Sequence, residues 1–164
     1  MSLYSKKMKL KRIIQGIALR FVTHLPLTNR MRVVFTRMGG VKISGNSVFI
    51  GEGVIFDSLF PERITIENHV HITMRCIVLT HNLNTKSNDH MWDKGEVTFC
   101  EGCFVGANTI VCNTVRIGKN SVVGANSVVT KDIPDNEIWA GNPAKFIKKK
   151  IPYKWQQQYN EYKR

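Results

Sequence analysis

The chain has 164 residues, 43% hydrophobic and 22% charged, which is enough for one domain with a sizeable core and argues against wholesale disorder. No apolar run reaches the roughly 20 residues that cross a bilayer, and residues 1–16 lack the continuous apolar stretch of a signal peptide, so the expected setting is the cytoplasm, extending to the inner face of the membrane. The formal net charge of +12 sits at the ends: residues 1–51 hold ten Lys or Arg and no acid, residues 52–144 are mildly acidic, and residues 145–164 hold seven basic residues and one acid. Such ends point to anionic partners (phosphate groups, nucleic acid or an anionic membrane surface) or simply to solvated faces.

Residues 1–40 read as a basic helical extension of two short helices. Leu10, Ile13, Ile14, Ile17, Ala18 and Phe21 recur at helical spacing and form one apolar stripe, with Lys9, Lys11, Arg12 and Arg20 mainly outside it. Pro26 ends the first helix. Thr28 can cap a second, which places Met31, Val34, Phe35 and Met38 on one face and stops at Gly39-Gly40. Both helices are expected to pack as end caps on the repeats that follow; a basic helix with an Ile/Phe face also suits peripheral contact with an anionic membrane.

Residues 41–150 carry a six-residue period. Phe99, Val105, Val111, Ile117, Val123 and Val129 lead consecutive hexads, and each is followed by a small or polar residue: Cys100, Gly106, Cys112, Gly118, Gly124, Thr130. The same register holds at Ile66, Ile72 and Val78, with a degenerate copy at Ile43 and Ile50. Six matches neither a helix nor a meander. It matches an all-β solenoid of parallel strands, in which each leading aliphatic residue points inward and Gly, Ser and Asn turn the corners. Eighteen residues then make one three-stranded coil, as over 66–83, 99–116 and 117–134. Two segments break the period, 57–63 and a longer polar excursion over 84–98; long excursions from repeat arrays tend to be functional. Residues 151–164 read as a short C-terminal helix with Trp155, Tyr159 and Tyr162 on one face.

The hexads, the run Val-Val-Gly-Ala-Asn-Ser-Val-Val-Thr-Lys-Asp-Ile-Pro at 122–134, the run Ala-Gly-Asn-Pro-Ala-Lys at 140–145 and the string Val-Leu-Thr-His-Asn at 78–82 resemble the hexapeptide-repeat acyltransferases, in particular their sugar and polysaccharide O-acetyltransferase branch. The resemblance covers about residues 40–150. It implies a left-handed parallel β-helix, a homotrimer with active sites between subunits, and acetyl-CoA as donor.

His81 is the leading catalytic candidate. It stands where the chain leaves a strand for the long excursion, and an imidazole can take the proton from a hydroxyl acceptor, worth roughly 10²–10⁴-fold. In the family the equivalent histidine is that base, and the acceptor attacks the thioester directly. Acetyl-CoA contacts implied by the family pattern fall on Ala107, Ala125, Thr130, Lys131, Asn142, Lys145 and Lys148; Lys145 and Lys148 stand where relatives often have Arg, which removes bidentate phosphate geometry. The corner glycines Gly106 and Gly124 are expected to let the pantetheine arm approach the backbone. Asp57, Asn84 and Trp92 are the candidates for holding an acceptor.

No metal is expected. His69, His71 and His90 lack the spacing by which solenoid zinc enzymes bind the ion, and Cys100-x-x-Cys103 is half a zinc motif with no second pair, so all four cysteines read as repeat-slot residues. The expected activity is acetyl transfer from acetyl-CoA to a carbohydrate hydroxyl in surface polysaccharide or glycoconjugate synthesis. The alternatives are an amino sugar, antibiotic or amino acid as acceptor, or a non-catalytic solenoid that binds anionic partners through its basic arms. Nucleic acid is not an expected partner of the enzyme.

Overall fold

A computed structural model describes residues 3–83 and 92–150, with residues 3–8 and Trp92 described by backbone alone. The C-terminal helix expected over 151–164, and Asn84 and His90 in the long excursion, lie outside these residues.

Helix α1 (Leu3–His24) stops just before Pro26, and α2 (Asn29–Met38) starts after Thr28, whose hydroxyl accepts from the Met31 amide at 3.4 Å. Gly40 follows at φ +99°, a left-handed turn that glycine adopts without a Cβ penalty. The strands then come in triplets. The first is β1 (Lys42–Ile43), β2 (Phe49–Ile50) and β3 (Ile55–Phe56). The second is β4 (Ile64–Ile66), β5 (His71–Ile72) and β6 (Ile77–Val78). A hairpin of β7 (His81–Leu83) and β8 (Trp92–Lys94) intervenes. The third triplet is β9 (Val97–Phe99), β10 (Phe104–Val105) and β11 (Ile110–Val111), and the fourth is β12 (Val115–Ile117), β13 (Val122–Val123) and β14 (Val128–Val129). An antiparallel pair closes the described chain, β15 (Glu137–Ala140) with β16 (Lys145–Lys149).

Each triplet gives one strand to each of three parallel sheets, ordered β1-β4-β9-β12, β2-β5-β10-β13-β15-β16 and β3-β6-β11-β14, with only the β15–β16 pair antiparallel. Registers repeat without slip: Phe99 lies over Ile117, Val105 over Val123, Val111 over Val129. These leading aliphatic residues are fully or almost fully buried, so one apolar column runs through all four triplets. Two-residue strands have little stability alone; each buried Ile or Val contributes roughly 1.5–3 kcal/mol, and stacking is what buries them. The fifth slot of the hexad also points inward. Cys76, Cys103, Thr109, Ser121 and Ser127 fill it, each at 0% exposure. Corners turn through positive φ at Asn108, Asn120 and Asn126, as the asparagine-rich pattern implies.

The N-terminal helices differ from expectation in which face they bury. α1 packs Gln15, Ala18, Leu19 and Val22 inward, while Leu10, Ile13, Ile14, Ile17 and Phe21 of the sequence stripe stay exposed; of that stripe only Ala18 is buried. The reason is steric and polar together. Gly39, at the end of α2, has no Cβ and lets Leu19 close on it, and the Thr23 hydroxyl donates to the Val54 carbonyl. These contacts fix the rotation of α1 about its axis. α2 covers the open edge of β2. The Asn29 amide nitrogen donates to the Val48 carbonyl and its oxygen accepts from the Ile50 amide, both at 2.9 Å, and Arg32 donates to the Ile50 carbonyl at 2.6 Å. One side chain thereby stands in for a missing strand.

Candidate active site

Both departures from the hexad period leave the same corner, where the third sheet turns back to the first. β3 pairs with β6 so that Phe56 lies over Val78, which puts Asp57 directly over the Leu79–Thr80 turn. The first departure is short, a 3-10 turn (Pro61–Arg63) that re-enters at β4. The second is the β7–β8 hairpin, where His81 pairs across with Lys94.

The corner closes around Asp57. Its side chain is 1% exposed and receives four donors. Oδ2 accepts from the Thr80 amide at 3.0 Å, from the Thr80 hydroxyl at 2.7 Å and faces His81 Nδ1 at 2.6 Å; Oδ1 accepts from the Leu59 amide at 2.8 Å. Burial pulls this carboxyl upward, but the hydrogen bonds from His81, Thr80 and Leu59 outweigh it and hold the group below its ordinary value. Asp57 is therefore an anion at neutral pH in a nearly dry corner. Against an anion, Nδ1 serves as the donor, which leaves Nε2 as the ring nitrogen directed away from Asp57. The imidazole is 20% exposed and takes the edge of the Phe60 ring, with Lys94 Nζ 5.0 Å from that ring's centroid. The arrangement is an oriented imidazole beside a fixed negative charge, a device that can accept a proton and stabilise the resulting cation.

Asp57 was expected to hold an acceptor. Its carboxylate is instead turned inward and fully engaged with His81, Thr80 and Leu59. Thr80, at 0% exposure, was not foreseen at all. The signal for both was in the spacing: register places the start of one departure over the start of the other. Trp92 is fixed by backbone only, opposite Leu83 in the hairpin.

The acetyl-CoA candidates fall on two corners. Ala107 and Ala125 stack at the corner after the second sheet, where the Asn126 amide donates to the Ala107 carbonyl at 2.8 Å, and Asn142 turns between β15 and β16 above them. Thr130 and Lys131 turn at the corner after the third sheet, which is the corner of His81, and Lys131 Nζ lies 5.8 Å from the Trp139 ring. Lys145 and Lys148 are exposed on β16. Packing by itself requires Gly106 to be small. A Cβ there would meet the Ala125 amide nitrogen at 2.5 Å, so the next coil leaves no space for a side chain.

A shallow pocket of about 280 Å³ opens beside this corner, between α1 and β3; Arg20, His24, Phe56 and Ser58 are among its walls. The four cysteines are free thiols, and burial raises each of them, which makes them poor nucleophiles. Among the described residues no three metal-ligating side chains gather, and no helix is long and apolar enough to cross a membrane.

Comparison with known proteins agrees with this architecture. Residues 96–131 match the family described as bacterial transferase hexapeptide (six repeats). YvoF of Bacillus subtilis (strain 168), assigned to the acetyltransferases, is 30% identical over 128 residues, covering 78% of this chain and 70% of that one. Galactoside O-acetyltransferase of Lactococcus lactis subsp. lactis (strain IL1403) is 35% identical over 109 residues, 66% of this chain and 46% of the relative, so the chain spans under half of that enzyme's length. Among solved structures, the hexapeptide-repeat acetyltransferase VCA0836 of Vibrio cholerae O1 biovar eltor, complexed with acetyl-CoA, superposes with a TM-score of 0.71 at 20% identity over 88% of this chain and 90% of that one. At that identity the likeness is one of fold.

Proposed function

Because the chain belongs to the hexapeptide-repeat acetyltransferases, we propose that it transfers the acetyl group of acetyl-CoA to a hydroxyl of a carbohydrate, with His81 as general base. The observation that carries this is the 2.6 Å contact between His81 Nδ1 and the buried Asp57 carboxylate. His81 Nε2 takes the acceptor's hydroxyl proton as the oxygen attacks the thioester carbonyl. The tetrahedral intermediate then expels the thiolate of CoA, which receives that proton from the imidazolium. Asp57 orients the ring and offsets its transient charge; it is a positioning residue, not an acceptor ligand. No acyl-enzyme forms, so no nucleophilic side chain is required.

In this reading the three sheets wind as a left-handed β-helix, and the enzyme is a homotrimer with acetyl-CoA between subunits. The placement of the candidates supports it. Ala107 and Ala125 sit at one corner and His81 at another, so a site that uses both draws on two chains. The outer face of the second sheet also carries a half-exposed ladder suited to subunit contact: Phe49 stacks on His71 at 5.7 Å and His71 on Phe104 at 6.4 Å. Thr130, Lys131, Lys145 and Lys148 would meet the phosphates of the donor. A sugar acceptor is favoured by the galactoside-acetylating relative. A cytoplasmic setting accords with four unpaired thiols.

Calorimetry with acetyl-CoA, followed by CoA-release assays over galactosides, maltose and larger glycans, tests the proposal. Micromolar binding near one donor per chain and release with one of these acceptors is the expected result. No binding at high protein concentration removes the reading.

A further inference from the structure

α1 buries one face on the first triplet yet shows a second apolar face outward. Leu10, Ile13, Ile14, Ile17 and Phe21 are 39–58% exposed. α2 does the same with Met31, Val34 and Met38, at 45–51%. The two stripes are one surface. Phe21 and Phe35 meet edge to face at 5.3 Å across the helix pair, and Met38 closes a shallow pocket of about 290 Å³ with Leu10, Ile14 and the exposed Lys11. Gln15 also lines that pocket, and its side-chain oxygen is buried without a hydrogen-bond partner among the described residues.

Charge frames this surface. Three arginines are engaged by groups of the protein itself: Arg12 pairs with Glu62, while Arg32 and Arg37 donate to the Ile50 and Gly45 carbonyls. Lys9, Arg20 and Arg30 are exposed and make no ion pair among the described residues. By the 3.6-residue turn, Lys9 and Arg20 fall along the outer edge of the α1 stripe, and Arg30 along the outer edge of the α2 stripe. The apolar band is thus bordered by cations on both sides, within a 51-residue segment that contains no acid.

We propose that the outward faces of α1 and α2 dock the protein on an anionic lipid bilayer. A bilayer supplies an apolar phase for the stripe and negative headgroups for its borders together. A second copy meeting this face through its own would bring the same cations against each other with no acid to answer them. Headgroup hydroxyls or interfacial water would satisfy the Gln15 oxygen. The inference does not rest on acetyl transfer.

Co-sedimentation of the full chain with vesicles tests it, using phosphatidylcholine alone and phosphatidylcholine with one quarter phosphatidylglycerol. The anionic vesicles should bind roughly tenfold or more tightly than the neutral ones, and binding should fall steeply between 50 and 500 mM salt. The pair Ile13→Glu/Ile17→Glu should lose roughly tenfold or more, with an unchanged melting temperature because both side chains are exposed. Should that pair fail to fold, Lys9→Glu/Arg30→Glu leaves the apolar surface intact and should lose the preference for anionic vesicles. Light scattering should give the same oligomeric mass for each variant as for the parent. Equal binding to both vesicle types, absence of binding, or undiminished binding by the Ile13/Ile17 pair overturns the proposal. A lower oligomeric mass in that pair also overturns it and assigns the face to a second copy.

Discussion

At the scale of the residue, Asp57 does the most with the least surface. Its anion anchors the backbone of two neighbouring turns through Leu59 and Thr80 and fixes the imidazole between them. The carboxyl sits below its ordinary value of 3.8, so its stabilising contribution is complete above that value and is lost as pH falls through the lower, folded one. Losing the buried hydrogen bonds to this anion in Asp57→Asn should cost about 2 kcal/mol at pH 7, and the gap to the parent should hold at pH 5 and begin to close only below 3.8; urea unfolding at pH 7, 5, 3.5 and 2.5 measures it. The same variant should lower turnover by turning the ring. His81→Ala should remove turnover by roughly 10²–10⁴-fold while acetyl-CoA affinity stays within about twofold. Steady-state rates beside calorimetry separate the two, and retained turnover would take His81 out of its role.

Elements explain why such a corner exists. A regular coil returns to the first sheet in a few residues, leaving no room for a cleft. Here two adjacent coils each delay that return, one by a 3-10 turn and one by a hairpin, and the proposed site lies where they leave the stack. The rest of the stack is held too closely for such tolerance. Gly106→Val should clash with the Ala125 backbone and cost roughly 1–3 kcal/mol, seen as a lowered melting temperature. At the N-terminal end, Asn29→Ala should cost about 1–2 kcal/mol, because both polar groups of the β2 edge that it satisfies lose their partner. Early hydrogen exchange at the Ile50 amide would localise that loss to the edge, and unchanged protection there would refute the capping role.

At the scale of the whole molecule, the proposed site is divided between corners, and this sets the assembly test. Neither His81→Ala nor Ala125→Trp should be active alone, the second through a blocked donor groove. Co-assembled, they should regain a fraction of parental activity, since some interfaces then join an intact His81 to an intact Ala125. No recovery in verified mixed oligomers would place the whole site within one chain.

The repeat, the strand positions and the inward column were legible from residues 66–134 because a six-residue period leaves each strand one geometry that buries its aliphatic residue. His81 stood out because it opens the long departure from that period. The helix ends were equally local matters of Pro26, Thr28 and Gly39-Gly40. Three things were settled only in three dimensions. The partner of His81 comes from 24 positions earlier in the chain, brought over it by coil stacking. The small size of Gly106 is required by the next coil, whose Ala125 backbone leaves no space for a Cβ. And α1 carries a second apolar line, Ala18, Leu19 and Val22, beside its main stripe, so periodicity could not say which of the two packs. Contact with Gly39 and Val54 chose Leu19 and Val22, and so left the Ile13–Ile17 stripe facing outward.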